Sequence, residues 1–168
     1  PTLDGVPTRV SMQLRLFKVL NVDIASGLLS MKIWRRMVWY DSRLTWNATD
    51  YNDVTDFRAY PLNGREFELD NNLWLPPVYA TNSIVPEANT LEIGGAWIRN
   101  DGRVWYSVPG TIDLSCRFTN LVNFPAEELS CPMEISTWTH SDKVILLTYF
   151  DDDLGWGWPA APVVAGTT

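Results

Sequence analysis

The chain has only two cysteines, Cys116 and Cys131, and they bracket a segment of 14 residues. A pair this close admits two readings: idle core thiols of a reducing compartment, or one disulfide-closed loop of an oxidising one. The second constrains the fold more. Closing such a loop removes denatured-state entropy worth roughly 3 kcal/mol, less any strain, and it ties the residues before Cys116 to those after Cys131. Past Cys131, Met133 and Ile135 alternate with Glu134 and Ser136, the two-residue period of a half-buried strand. That strand delivers Trp138, between Thr137 and Thr139, to a polar turn. A closed loop feeding a strand that presents a tryptophan suits recognition better than chemistry.

The same alternation recurs elsewhere. From Arg9, Val10, Met12, Leu14 and Leu16 fall on one face and Ser11, Gln13 and Arg15 on the other, which predicts a strand with one wet face. A turn around Asn21–Gly27 leads to a second strand over 28–39, with Leu29, Met31 and Ile33 on its apolar side. Trp34 falls on the other side with Ser30, Lys32 and Arg36. A large aromatic on a polar strand face needs a cover: a nearby loop or arginine stem, or a neighbouring subunit. Residues 47–64 read as loop and hairpin turn. Further strand-like runs lie at 66–69, 83–85, 90–99, 104–108, 111–118, 131–137 and 143–150, and Asn100-Asp101-Gly102 marks a hairpin. Many short strands with Gly, Pro and Asn punctuation predict an all-β sandwich, one domain over residues 1–168 with an atypical Gly/Trp/Pro/Ala tail at 151–168.

Composition removes several function classes. Nine tryptophans and 46% hydrophobic residues exclude a disordered tail. A formal charge of −7 argues against a nucleic-acid partner, which would want clustered Lys and Arg. With one histidine, His140, and no phosphate-cradling or nucleophile motif, neither an enzyme, a cofactor nor a metal centre is expected. Asp151–Asp153 reads as a solvated acidic turn or, less simply, as part of a calcium site. Asn47-Ala48-Thr49 is a glycosylation sequon and agrees with an oxidising, extracellular setting.

Three segments together resemble the extracellular domain of the Cys-loop (pentameric ligand-gated ion channel) receptors and the acetylcholine-binding proteins. Trp39-x-Asp41-x-Arg43-Leu44-x-Trp46-Asn47 is similar to the family's run at every fixed position. Leu73-Trp74-Leu75-Pro76 with Asn82 resembles a second segment, Pro77 standing where the family has Asp. Phe124-Pro125-Ala126-Glu127 ahead of Cys131 resembles the family's Phe-Pro-Phe-Asp, in a loop one residue longer than usual. The likeness covers residues 8–150 or so.

The resemblance implies a nicotinic-receptor-type sandwich, here lacking the N-terminal helix and the last two strands. It implies homologous subunits in a pentameric ring and a small cationic or amphipathic ligand bound between them. Trp138 takes the principal-face tryptophan position, and Thr81 stands where nicotinic members place a tyrosine. Trp34, Trp105, Ser107 and Trp97 take complementary-face positions. Trp39, Trp46, Trp74, Asp41 and Arg43 read instead as structural. The closed loop keeps Leu121, Val122, Phe124, Pro125 and Leu129, so Phe124 and Pro125 are expected to face a membrane domain, as in a receptor rather than a free-standing binding protein. Two other uses of the fold stay open: a ring-forming structural or assembly protein without ligand gating, and a general carbohydrate- or protein-binding sandwich.

Overall fold

The computed structural model describes residues 6–62, 73–86, 90–92, 94–118, 129–137 and 140–149. Among them, eight strands run in chain order: β1 (Thr8–Asp23), β2 (Leu28–Thr45), β3 (Asp56–Leu62), β4 (Val78–Ala80), β5 (Gly94–Arg99), β6 (Asp101–Ser115), β7 (Ile135–Thr137) and β8 (Ile145–Tyr149), with a 3-10 turn at Ala48–Tyr51 between β2 and β3. Six of them form one sheet in the order β3-β5-β6-β2-β1-β8, and β4 pairs with β7 in a second. β8 runs parallel to β1; the other ladders are antiparallel.

Alternation sorts the side chains of the large sheet. Met31, Ile33, Met37 and Trp39 of β2 and Val104, Tyr106, Val108, Ile112 and Leu114 of β6 are buried together between the sheets. Val78 and Ala80 of β4 cover them from the other side, and Cys116, Cys131 and Met133 pack against the same core. Burying each such aliphatic side chain contributes about 1.5–3 kcal/mol. The result is the all-β sandwich that the strand pattern predicts.

Several local expectations change. The polar face of β1 is wet at Arg9 and Arg15 but not between them: Ser11 is 7% and Gln13 2% exposed. The Ser11 and Thr148 hydroxyls hydrogen-bond at 2.9 Å, and Gln13 Oε1 accepts from Arg36 Nη1 at 3.1 Å. Polar residues alternate here as they would on a solvated face because they pair with polar residues of adjacent strands. The buried side of β1 fades after Leu14, and Leu16 is exposed.

The runs at 104–108 and 111–118 are one strand, β6, although Pro109 lies inside it. Within a strand a residue's N–H and C=O point to the same side, and the Pro109 carbonyl accepts from Glu92 N at 2.9 Å. Proline's missing donor therefore faces the 90–92 segment beyond the end of β5, and costs no bond to β2. β3 lies in a stretch that reads as loop because it is an edge strand with exposed Asp56, Phe57 and Arg58, so no buried alternation marks it. β4 is three residues long and comes just after two prolines. The run at 83–85 makes only an isolated bridge, Ser83 to Leu114. The 131–137 and 143–150 runs shorten to β7 and β8. The expected hairpin between β5 and β6 forms, with Gly102 at φ +86, where a Cβ would lie 2.8 Å from the Asp41 carbonyl oxygen. The expected strand at 66–69, both chain ends and Asp151–Asp153 fall outside the described residues.

Asp41 and Arg43 pin the end of β2. Asp41 is fully buried and accepts from Arg43 Nε at 2.9 Å and Nη2 at 2.7 Å, and from the Arg43 backbone N–H at 3.1 Å. Burial pushes the Asp41 carboxyl up, but the Arg43 hydrogen bonds and charge outweigh it and hold the group below the usual carboxylate value. A folded pKa below the unfolded one means that the pair's stabilisation is complete above the unfolded carboxylate range and fades as pH falls through the folded value. Arg43→Ala is expected to cost about 1–2 kcal/mol at neutral pH, the low part of the range because the guanidinium is half solvated. Urea melts at pH 7 and pH 3 check this; a deficit as large at pH 3 as at pH 7 would remove the ion pair as its cause.

Candidate ligand-binding site

The face of the large sheet turned away from the core carries a row of aromatic rings and guanidinium groups. Side chains two apart on a strand share a face, so Trp34 and Arg36 of β2 point outward together while Ile33 and Met37 point inward. The β2–β6 register sets Arg36 opposite Ser107 and Val38 opposite Trp105, and the β5–β6 register sets Trp97 opposite Trp105. Trp34 Nε1 donates to Ser107 Oγ at 2.5 Å. Arg36 Cζ stands 3.9 Å from the Trp34 ring centroid and 5.8 Å from that of Trp105. At the far end, Arg58 Cζ lies 5.6 Å from the Trp97 ring, and Trp97 Nε1 donates to Asp56 Oδ1 at 2.8 Å.

Four of the residues singled out from the sequence, Trp34, Trp97, Trp105 and Ser107, thus come together on one surface. Two further members were not singled out. Arg36 is 7% exposed and has the Trp34 indole on one side and Gln13 beside it. The signal for it was present, since Trp34-x-Arg36 places both on one strand face. Phe17 stacks on Trp34 with ring centroids 5.7 Å apart. The β1–β2 register shifts between Leu16 and Lys18, so Phe17 is a bulged residue outside the alternation and unreadable from it. Trp34 therefore has an arginine and a phenylalanine of its own chain packed against it, whereas the resemblance pointed to a neighbouring subunit as its cover.

Thr81 lies elsewhere. It comes directly after β4 in the small sheet, where its N–H donates to the Glu134 carbonyl at 2.7 Å and its hydroxyl to the same oxygen at 3.2 Å. Asn82 fastens the same place, accepting from Glu134 N at 3.0 Å and donating to the Pro132 carbonyl at 2.9 Å. Trp138 is outside the described residues, but the residue before it, Thr137, pairs with Val78 of β4. The small sheet covers the core side of the large one, so Thr81 and the Trp34 row lie on opposite faces of the sandwich.

The loop end is organised by the cysteines. Cys116 and Cys131 form a disulfide with Cα atoms 5.2 Å apart. The turn between β1 and β2 sits against it: Cys116 N donates to the Gly27 carbonyl at 2.7 Å. Gly27 has φ +70, and a Cβ there would lie 2.5 Å from the Cys116 oxygen. Ile24 in this turn and Leu129 in the loop are exposed. Phe124 and Pro125 fall outside the described residues. Asn47, the sequon residue, is exposed at the N-cap of the 3-10 turn, accepting from Thr49 N at 3.4 Å. Trp39 and Trp74 are structural as expected, meeting edge to face at 6.0 Å in the core cluster.

The family model for the neurotransmitter-gated ion-channel ligand binding domain matches residues 1–156. The chain belongs to this family. It is 30% identical over 148 residues to an acetylcholine receptor subunit alpha-type (acr-5) of Caenorhabditis elegans, covering 83% of this chain and 23% of that protein. It is 25% identical over 139 residues to the neuronal acetylcholine receptor subunit alpha-6 of Rattus norvegicus, covering 83% and 26%. With the 5-hydroxytryptamine receptor 3A of Cavia porcellus the identity is 26% over 135 residues, covering 80% and 25%. The chain spans about a quarter of the length of these relatives. As a Cys-loop receptor domain it belongs to a family of ligand-gated receptors rather than of enzymes.

In this Cys-loop domain the β1–β2 turn meets the disulfide at Cys116. Gly27→Ala is expected to cost about 1–3 kcal/mol through strain at a positive φ, and Cys116→Ser with Cys131→Ser about 2–4 kcal/mol. Because the two share a contact, the combined variant should depart from additivity by more than about 0.5 kcal/mol. Guanidinium melts of all the variants measure this; strict additivity would make the turn and the loop independent.

Proposed function

We propose that this chain is the extracellular ligand-binding domain of a pentameric ligand-gated ion channel and binds a small amphipathic ligand between adjacent subunits. The observation that carries the two-subunit site is the separation of its parts. Trp34, Trp97, Trp105 and Ser107 stand on one face of the sandwich, and Thr81 with the strand leading to Trp138 stands on the other. One ligand can touch both sets only if the Trp34 face of one subunit meets the Thr81 face of the next. A ring of homologous subunits does this at every interface.

Arg36 shapes what such a site takes. An indole face attracts an ammonium group by about 0.5–2 kcal/mol, but here Arg36 already occupies one face of Trp34 and approaches Trp105. A bare quaternary ammonium would meet a like charge there. A ligand with an aromatic or acceptor group directed at Arg36 and Trp34, and any cation held by the other subunit, fits better. The junction of the β1–β2 turn with the closed loop is the surface proposed to pass ligand binding to a membrane domain, and Phe124 and Pro125, which the loop carries in its sequence, are proposed to act in that contact.

The reading has a direct test in the full-length gene product. Mass photometry of the purified receptor should give five subunits per particle. In current recordings with acetylcholine, serotonin and amino-acid transmitters as probes, Arg36→Gln and Trp34→Ala should each shift the half-activating concentration tenfold or more, about 1.4 kcal/mol of binding. Phe124→Ser should reduce maximal current with little change in binding. A five-membered ring that answers no probe would favour the assembly-protein reading; unchanged responses in both face variants would discard this face as the ligand site.

A further inference from the structure

At the end of β2 opposite the disulfide, an open cavity of about 550 Å³ lies among Leu44, Trp46, Tyr51, Val54 and Phe57, with Arg43, Thr45 and Asn52 at its polar margin. Two of its three aromatic rings lie outside the core. Tyr51 is 60% and Phe57 46% exposed, while Trp46 is half-buried, its Nε1 donating to the Val54 carbonyl at 2.7 Å and its ring 5.7 Å from that of Phe57. Trp46 packs against the core cluster, as its structural reading expects, and its ring also lines this cavity. Exposed aromatic surface in a concave site implies an occupant.

A candidate occupant lies within covalent reach. The residue after Trp46 is Asn47, the sequon asparagine, exposed and held at the N-cap by Thr49 N. The disulfide agrees with an oxidising compartment, where N-glycosylation takes place. We propose that Asn47 carries an N-linked glycan whose first sugars fold back into this cavity. In the enzyme-catalysed transfer, Asn47 Nδ2 forms a bond to the anomeric carbon of the first N-acetylglucosamine. The bond from that carbon to a lipid diphosphate breaks, the diphosphate leaves, and the amide gives up one proton. Asn47 Oδ1 is not consumed, so its hydrogen bond from Thr49 N survives. The C–H face of the sugar then covers Tyr51 and Phe57, and its hydroxyl groups meet Arg43, Thr45 and Asn52 at the margin. A sugar has the mixed surface that this cavity requires, apolar on its ring face and polar at its edge. The inference is independent of the ligand reading, since it needs only secretion.

The test uses the chain secreted from a eukaryotic host. Intact mass should fall on full enzymatic release of the glycan, and Thr49→Ala, which removes the sequon but keeps the Asn47 cap, should yield only the unglycosylated mass. Trimming to a single N-acetylglucosamine should preserve the melting temperature, whereas full release or Thr49→Ala should lower it by several degrees. Phe57→Ser should abolish that difference; Tyr51→Ser, at a more exposed position, serves if Phe57→Ser does not fold. Absence of the glycan, or a glycan whose removal leaves the melting temperature unchanged, overturns the proposal. A dimer that persists with the glycan attached and is lost in Tyr51→Ser would assign the cavity to a second copy of the chain and overturn it as well.

Discussion

The ladder between β2 and β6 carries the rest of the molecule. It runs from Leu28 opposite Ser115 to Thr45 opposite Asp101 and holds two long strands together at the centre of the large sheet. Because side chains alternate, a slip of one residue would send Trp34 and Arg36 into the core and expel Ile33 and Met37. The register is thus enforced by burial on one side, and the functional face on the other inherits its order. Ser107 meets Trp34, and Arg36 stands between two indoles, because the apolar side chains beneath them fit only one way. The outer face needs no packing logic of its own to hold its geometry.

That face departs from a simple aromatic box. The guanidinium of Arg36 is nearly buried, lies over Trp34 and is held by Gln13. A charge so placed is retained only when it is hydrogen-bonded and balanced, since desolvating it is costly. Gln13 supplies an acceptor and the indoles supply their electron-rich faces. At Ser11 and Gln13 the polar side of β1 is therefore not a solvated surface; Gln13 supports the arginine and is joined to Trp34 through it.

The opposite end works by constraint instead of electrostatics. The disulfide joins the end of β6 to the segment before β7, and Gly27 lets the β1–β2 turn come within hydrogen-bonding distance of Cys116. A side chain at position 27 would collide with backbone, which cannot yield cheaply. Two segments far apart in sequence thus present one surface, with Ile24 and Leu129 exposed on it.

Much of this was legible in the residues themselves. The cysteine pair, the period-two stretches of β1 and β2, the Asn100-Asp101-Gly102 turn and the three family-like motifs were enough for the fold and family, because each is a local pattern read along the chain. The fourfold grouping of Trp34, Trp97, Trp105 and Ser107 came only with the resemblance. The edge strand β3 was invisible, since a strand with little burial leaves no alternation. So was the bulge that turns Phe17 onto Trp34, because an extra residue breaks the period that reading relies on. What only the tertiary structure decided is which polar residues are wet. Ser11, Gln13 and Arg36 look like a solvated face in one dimension and are buried and hydrogen-bonded in three, because their partners lie on neighbouring strands, up to 137 positions away in the case of Ser11 and Thr148.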